Sequence, residues 1–213
     1  LLGTGISYKG PLEIYGNISQ NYRSVTFADI SIINPAYSID PNISDEKGYT
    51  IDCGLRGLIN EYVSYDLSIF NLYYNNRIGF IQKVYDDGSV KSEKGNVGNA
   101  LIYGLESLID FNLNKLLNLN KNNIFNFYIN SSLINSEYVE TQRNGVLGNK
   151  VEFVPNINLK SGIKLGVNNF LSNIQFSYLS SQFTDASEII LLNNKNLNQL
   201  PKANTPDDHV SQS

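Results

Sequence analysis

Cysteine occurs once in these 213 residues, at Cys53, so neither an intrachain disulfide nor a thiolate metal site can form. Histidine also occurs once, as His209 in a polar tail, which removes Ser-His-Asp, Cys-His and His-rich zinc chemistry. Basic residues are few and scattered. Lys and Arg number 16 against 20 Asp and Glu, and the resulting net charge of −4 argues against a nucleic-acid surface, which wants a basic stripe. No window approaches eighteen unbroken apolar residues, so no helix of this chain spans a bilayer. The N-terminus lacks a basic region followed by an apolar core and is no signal peptide. It reads as a strand in mid-course without an initiating Met, and the other end halts in loop-like sequence, so the expectation is a fragment of a longer protein.

What the chain does have is long alternation. From Leu12 to Arg23, Leu12, Ile14, Ile18 and Tyr22 fall on one face, and Glu13, Tyr15, Asn17, Ser19, Asn21 and Arg23 on the other. A period of two over that length means an extended strand with an apolar and a polar side. Soluble strands usually stop at about 5–6 residues, whereas a tilted membrane-crossing strand needs roughly 9–11. Strands are expected at about 1–9, 11–23, 48–60, 62–82, 97–113, 124–140, 151–167 and 169–184. Short connections at 9–11, around Asn60, at 114–123 and at 168–169 alternate with long ones at 24–47, 83–96 and 141–150. Tight turns on one side and long loops on the other describe an antiparallel meander of an outer-membrane barrel, with periplasmic turns and extracellular loops.

The charges follow the same phase. Asp52 and Arg56 share one polar face, Glu106 and Asp110 another, and Lys160 and Lys164 a third. In a barrel these six point to the lumen, because Lys or Arg facing lipid at mid-bilayer costs roughly 2–4 kcal/mol. The strand at 62–82 breaks phase near Ile69 and Phe70, which calls for a bulge or an aromatic turned inward. Cys53 shares a face with Ile51 and Leu55 and reads as a small buried or lipid-facing hydrophobe. Tyr8, Tyr22, Tyr49, Tyr62, Tyr65, Tyr73, Tyr74, Phe80, Tyr138 and Phe183 sit near strand ends, where an interfacial girdle would lie. Strands also favour aromatics in general. Asp86-Asp87-Gly88 reads as a plain turn and Asp45-Glu46-Lys47-Gly48 as a charged surface turn, while the sequons at Asn17, Asn42 and Asn130 are too common to count. Arg23 and Arg143 lie near loop mouths and either meet an anionic ligand or pair with nearby acids to anchor the loops. No cofactor is expected and no catalytic set is present.

A series of segments carries a resemblance. Tyr15-Gly-Asn-Ile-Ser-Gln-Asn-Tyr-Arg-Ser-Val-Thr-Phe27, Asn42-Ile-Ser-Asp-Glu-Lys-Gly-Tyr49, Cys53-Gly-Leu-Arg-Gly57 and Asn96-Val-Gly-Asn-Ala-Leu-Ile-Tyr-Gly-Leu-Glu106 follow, in order, motifs of the TonB-dependent outer-membrane receptors. Val154-Pro155, Leu159-Lys160-Ser-Gly162 and Tyr178-Leu-Ser-Ser-Gln-Phe-Thr-Asp-Ala186 are similar to the ferric citrate branch of that family. The resemblance implies an all-β chain forming part of a 22-stranded transmembrane β-barrel in the outer membrane of a Gram-negative cell. It further implies import of a ferric chelate, citrate or a siderophore, on energy delivered by the TonB–ExbB–ExbD complex through an N-terminal plug. On this reading the plug and the C-terminal strands lie outside residues 1–213. Two other readings share the alternation: a complete eight-stranded outer-membrane barrel with a structural or adhesive role, and a soluble β-sandwich binding module.

Overall fold

The computed structural model describes residues 2–9, 12–31, 34–120 and 123–187, and His209 lies outside them. The strands are β1 (Gly3–Lys9), β2 (Glu13–Arg23), β3 (Tyr37–Ile39), β4 (Glu46–Ile59), β5 (Val63–Val84), β6 (Val90–Asn112), β7 (Ile124–Glu140), β8 (Ile157–Val167) and β9 (Phe170–Leu179). Two single-turn helices, α1 (Phe27–Ile30) and α2 (Leu113–Leu116), sit in connections. All the strands join one sheet, in the order β1-β2-β4-β5-β6-β7-β8-β9, and every neighbouring pair on that path is antiparallel. The path is linear, with β1 and β9 as its two ends among the described residues. A closed eight-stranded barrel needs those ends paired, and a sandwich needs a second packed sheet. Neither is present among the described residues.

Residues paired across antiparallel strands point to the same side, so the register assigns the faces. Glu13, Tyr15, Asn17, Ser19 and Asn21 pair with Arg56, Gly54, Asp52, Thr50 and Gly48, which makes one continuous polar face. On the other face, Ile14, Ile18 and Tyr22 pair with Leu55, Ile51 and Lys47, and the row continues through Leu67, Ile69, Leu105, Leu133, Ile157 and Ile163. Much of that apolar row is exposed: Ile69 at 56%, Leu133 at 53% and Ile174 on β9 at 68%. Cys53 is exposed on it too.

Phe70 pairs with Asp52 and Gly104, so it lies on the polar side, and there it packs against buried residues. The phase break near Ile69 and Phe70 is therefore an inward aromatic. The bulge lies higher, between Tyr74 and Ile78, where Asn76 takes φ 55°. Gly104 allows the Phe70 ring its place, since a Cβ there would press on that ring and on the Leu133 carbonyl.

The stretch 83–96 is not a long loop. β5 and β6 run on to Val84 and Val90 and close over a turn in which Gly88 (φ 78°) donates its N–H to the Tyr85 carbonyl at 2.8 Å. Its Lys, Glu and Ser residues conceal the alternation, because other segments cover both faces at the base of this extension, around Ile78, Ile81 and Glu93, while its tip at Val84 and Val90 is exposed. In the other direction, β8 starts at Ile157 and β9 ends at Leu179, so 151–156 and 180–184 belong to loops. Phe153 at φ 59° and the missing N–H of Pro155 end the ladder there. The connection 24–47 holds α1 and β3, and β3 pairs in parallel with Ser92–Lys94 of β6. It takes the β6 edge beyond the end of β7. The main buried cluster gathers at this long-loop end: Ile81, Val97, Ala100, Ile102, Tyr138, Val146, Val151 and Ala186. Tyr138, expected in a girdle, is wholly buried in that cluster.

Candidate functional site

The polar face holds the six charged positions read from the sequence, and five of them have a polar or aromatic partner. Arg56 Nη2 meets Glu13 at 2.7 Å, Asn17 Nδ2 donates to Asp52 at 3.1 Å, and Asn126 Nδ2 donates to Asp110 at 2.8 Å. Ser132 Oγ lies 3.5 Å from Glu106. Lys164 sits over the Tyr128 ring, and Lys160 stands in register between Asn130 and Ser177. Amides and hydroxyls between the charges make this a hydrated wall.

At the long-loop end the ion pairs are of another kind, because here the acids are buried. Thr26 caps α1 and Asp29 reaches back, accepting from Thr26 N at 2.9 Å and Thr26 Oγ at 2.7 Å. The same carboxylate meets Arg23 Nη2 at 2.6 Å and Lys94 Nζ at 2.8 Å. Burial alone would raise its pKa, but Lys94, Thr26 and Arg23 together hold it well below the usual carboxylate range. Arg23 also lies 3.8 Å from Glu46, whose Oε2 accepts from the Ile78 N–H at 2.9 Å. Glu46 is buried at the start of β4, so the segment 45–48 is not a surface turn. Asp45 does face outward, accepting from Tyr22 and from Val25 N.

Arg143 plays the matching part for the β7–β8 loop. Its Nη2 meets Asp40 at 2.5 Å and its Nη1 lies 3.6 Å from Glu93, whose other oxygen takes Lys83 Nζ at 2.5 Å. The Asn42 N–H does most to hold the Asp40 carboxyl below its ordinary pKa, and Arg143 adds to it against the opposing effect of burial. The structure therefore places Arg23 and Arg143 in separate clusters, each fastening a long connection to the β5–β6 extension. Beside Arg143 a polar cavity of about 620 Å³ opens between Asn75, Asn76, Asn96, Asn99, Glu140 and Gln142. The Asn96 and Asn99 amides in its wall are already bonded to Ser44, Asn76 and Glu140, which fixes the shape of this polar lining.

Asp29, Glu93 and Glu152, all nearly inaccessible, are the buried acids that sequence pattern missed. Each lies in a loop or a polar stretch where an acid looks solvated, and only Thr26-x-x-Asp29 left a readable capping signal. Among the described residues no group of three or more His, Cys, Asp and Glu could hold a metal ion.

A family model described as TonB dependent receptor-like, beta-barrel, matches residues 3–205. The chain belongs to that family. No curated protein matches it. Among solved structures, the unliganded ferric citrate transporter FecA is 21% identical, with 87% of this chain covering 26% of that one at a TM-score of 0.61. The ferric yersiniabactin uptake receptor FyuA from Yersinia pestis is 17% identical, with 87% and 26% covered and a TM-score of 0.58. The copper transporter OprC is 14% identical, with 80% and 24% covered and a TM-score of 0.57. The chain thus spans about a quarter of the length of these structures, and identities this low show a shared fold.

Within the receptor-barrel frame, the segment that ends at Ala186 has a structural use here. The Ala186 N–H donates to the Phe80 carbonyl at 2.8 Å, Phe183 O accepts from Phe153 N at 2.9 Å, and Asp185 is buried beside Gln82. These bonds bind the end of the described chain to the β5–β6 extension and to the β7–β8 connection.

Proposed function

We propose that this chain is a sector of the wall of a TonB-dependent outer-membrane receptor that imports a ferric chelate, iron citrate or a siderophore. The observation that carries the reading is the division of one open sheet into an exposed apolar face and a face collecting the strand charges. The apolar face meets outer-membrane lipid. The face with Asp52, Arg56, Glu106, Asp110, Lys160 and Lys164 lines the lumen. The short connections, such as Asn60-Glu61 with both residues at positive φ, turn in the periplasm, and the β5–β6 extension with its draped loops stands outside the cell. Arg23 and Arg143 hold the loops that the chelate meets. The plug, the remaining strands and the coupling to TonB–ExbB–ExbD belong to sequence beyond these residues. The FecA and FyuA likenesses support iron chelates as cargo, and the motif ending at Ala186 favours citrate. Transport needs no catalytic group.

The test is genetic. A strain lacking the full-length gene should lose growth on one ferric chelate as sole iron source, and a TonB-deficient strain should lose it equally. Unchanged growth and unchanged uptake of labelled iron on citrate and on siderophores alike would contradict the cargo. Recovery of the protein from the soluble fraction would contradict the location.

A further inference from the structure

The transport reading makes no use of Glu152, although it is one of the most enclosed side chains present, at 1% exposure. It sits in the β7–β8 connection with its carboxylate laid on β5 at Gly79, where a Cβ would collide with Glu152 Oε1 and crowd the Tyr138 hydroxyl. Each packed element supplies a group that faces it. From β7, the wholly buried Tyr138 donates its hydroxyl to Oε2 at 2.7 Å. From β5, Arg77 brings Nε only to 3.9 Å of Oε1, outside hydrogen-bond range, and that buried Nε has no hydrogen-bond partner. From the segment after β9, the buried Asp185 adds a second negative group. The next residue, Phe153, is held at φ 59°, a conformation a bulky side chain adopts only when its surroundings impose it. Burial pushes the Glu152 carboxyl above its ordinary range, and Asp185 adds to this against Arg77 and Tyr138.

We propose that Glu152 is a proton-operated latch that fastens the 141–156 loop to the β5–β6 extension when protonated and releases it when ionised. A protonated carboxyl sits in this enclosure at little cost. An ionised one has only two neutral donors, the Tyr138 hydroxyl and its own backbone N–H, and a guanidinium too distant to bond, so loss of the proton favours lifting the side chain into water. Because the docked carboxyl binds its proton more tightly than the free one, docking is complete below the ordinary carboxylate pKa. It weakens as pH rises through the elevated docked value. The loop it holds also carries Arg143, so release frees Asp40 and Glu93 from their shared cation.

The test uses the full-length receptor in liposomes, with Cys53→Ser and a spin label on Leu147→Cys, a side chain 66% exposed in the same loop. Label mobility is read from about pH 4 to about pH 9, spanning ordinary carboxylates and well beyond. The expected result is a mobile fraction that grows with pH, the open-to-docked ratio changing by up to about tenfold per pH unit as one proton leaves. Glu152→Gln should keep the label immobile throughout. Tyr138→Phe removes a donor that favours the ionised docked form and should widen the change in the open-to-docked ratio between low and high pH, with more of the label mobile at high pH than in the wild type. A pH-independent wild type, the same response in Glu152→Gln, or a Tyr138→Phe variant whose low-to-high-pH change is no larger than that of the wild type would each overturn the latch. The Tyr138→Phe comparison decides even if Glu152→Gln fails to assemble.

Discussion

Ile69 and Ser68 are neighbours whose consequences should be opposite. Ile69 pairs with Cys53 and Leu105 on the apolar face, and Ser68 pairs with Gly54 and Glu106 on the polar one. Ile69→Lys should destabilise the full-length receptor in liposomes by about 2–4 kcal/mol, the cost of a cation against lipid near mid-bilayer. Ser68→Lys places the same charge beside Glu106 and should change stability by less than about 1 kcal/mol. Denaturant titration of the two variants checks this, and equal losses would contradict the face assignment. Asp29 makes a second residue-scale case. Its partner Arg23 keeps contact with water, so Asp29→Asn should cost about 1–2 kcal/mol, less than a fully buried pair would. The loss should show as faster chymotrypsin cleavage after the exposed Phe27. The wild-type carboxyl is depressed in the fold, so the anchoring is complete above the ordinary Asp pKa of about 3.9 and is lost as pH falls through the lower folded value.

At the scale of elements, the strand lengths divide the sheet into two tiers. β2, β8 and β9 span 11, 11 and 10 residues, about what a tilted crossing needs, while β5 and β6 reach 22 and 23. On the proposed receptor reading the excess length stands above the lipid, and it is the post to which the loops are tied through Glu93, Lys94, Gly79 and Phe80. Replacing Asn76–Gly98 by a short turn should leave barrel assembly intact, since the pairs from Val63–Phe111 to Tyr74–Ala100 remain. It should expose 24–45 and 141–156 to protease and abolish chelate binding. Loss of assembly as well would show that the post is part of the wall. The alternation that revealed the lower tier is a one-sided-burial signal. It fails in the extension because Ile78, Ile81, Glu93 and Val97 are buried by segments distant in sequence. The long alternating strands were therefore legible from residue order alone, while the phase break at Phe70 left a bulge or an inward aromatic open until the register placed the ring on the polar side. The upper hairpin, β3 and the buried acids were not. A carboxylate buried by a loop some fifty residues away has the same local sequence as one in water, as Asp40 and Glu93 do.

The whole molecule is organised by a single division of surface. The sheet has no packed layer over its apolar face among the described residues, and a soluble protein rarely leaves contiguous apolar patches of more than a few hundred Å² exposed. The long-loop end, by contrast, is capped by its own connections and carries the only main core cluster among the described residues. This architecture assigns stability to lipid contact in one tier and to buried ion pairs in the other. Removing the bilayer should therefore lower the stability of the crossing strands before that of the extension. Hydrogen exchange in detergent against liposomes should show protection falling in Ile51–Leu58 sooner than in Ile78–Ile81.

The measurement that bears most directly on the division is a cysteine scan along β5 of the full-length receptor in liposomes, from Asp66 to Leu72, with Cys53→Ser in the background. Spin labels at each position are relaxed in turn by oxygen, which concentrates in lipid, and by a water-soluble nickel chelate. The account predicts a period of two, with oxygen access highest at Leu67, Ile69 and Asn71 and nickel access highest at Asp66 and Ser68. Equal access at neighbouring positions, or the opposite phase, would contradict it.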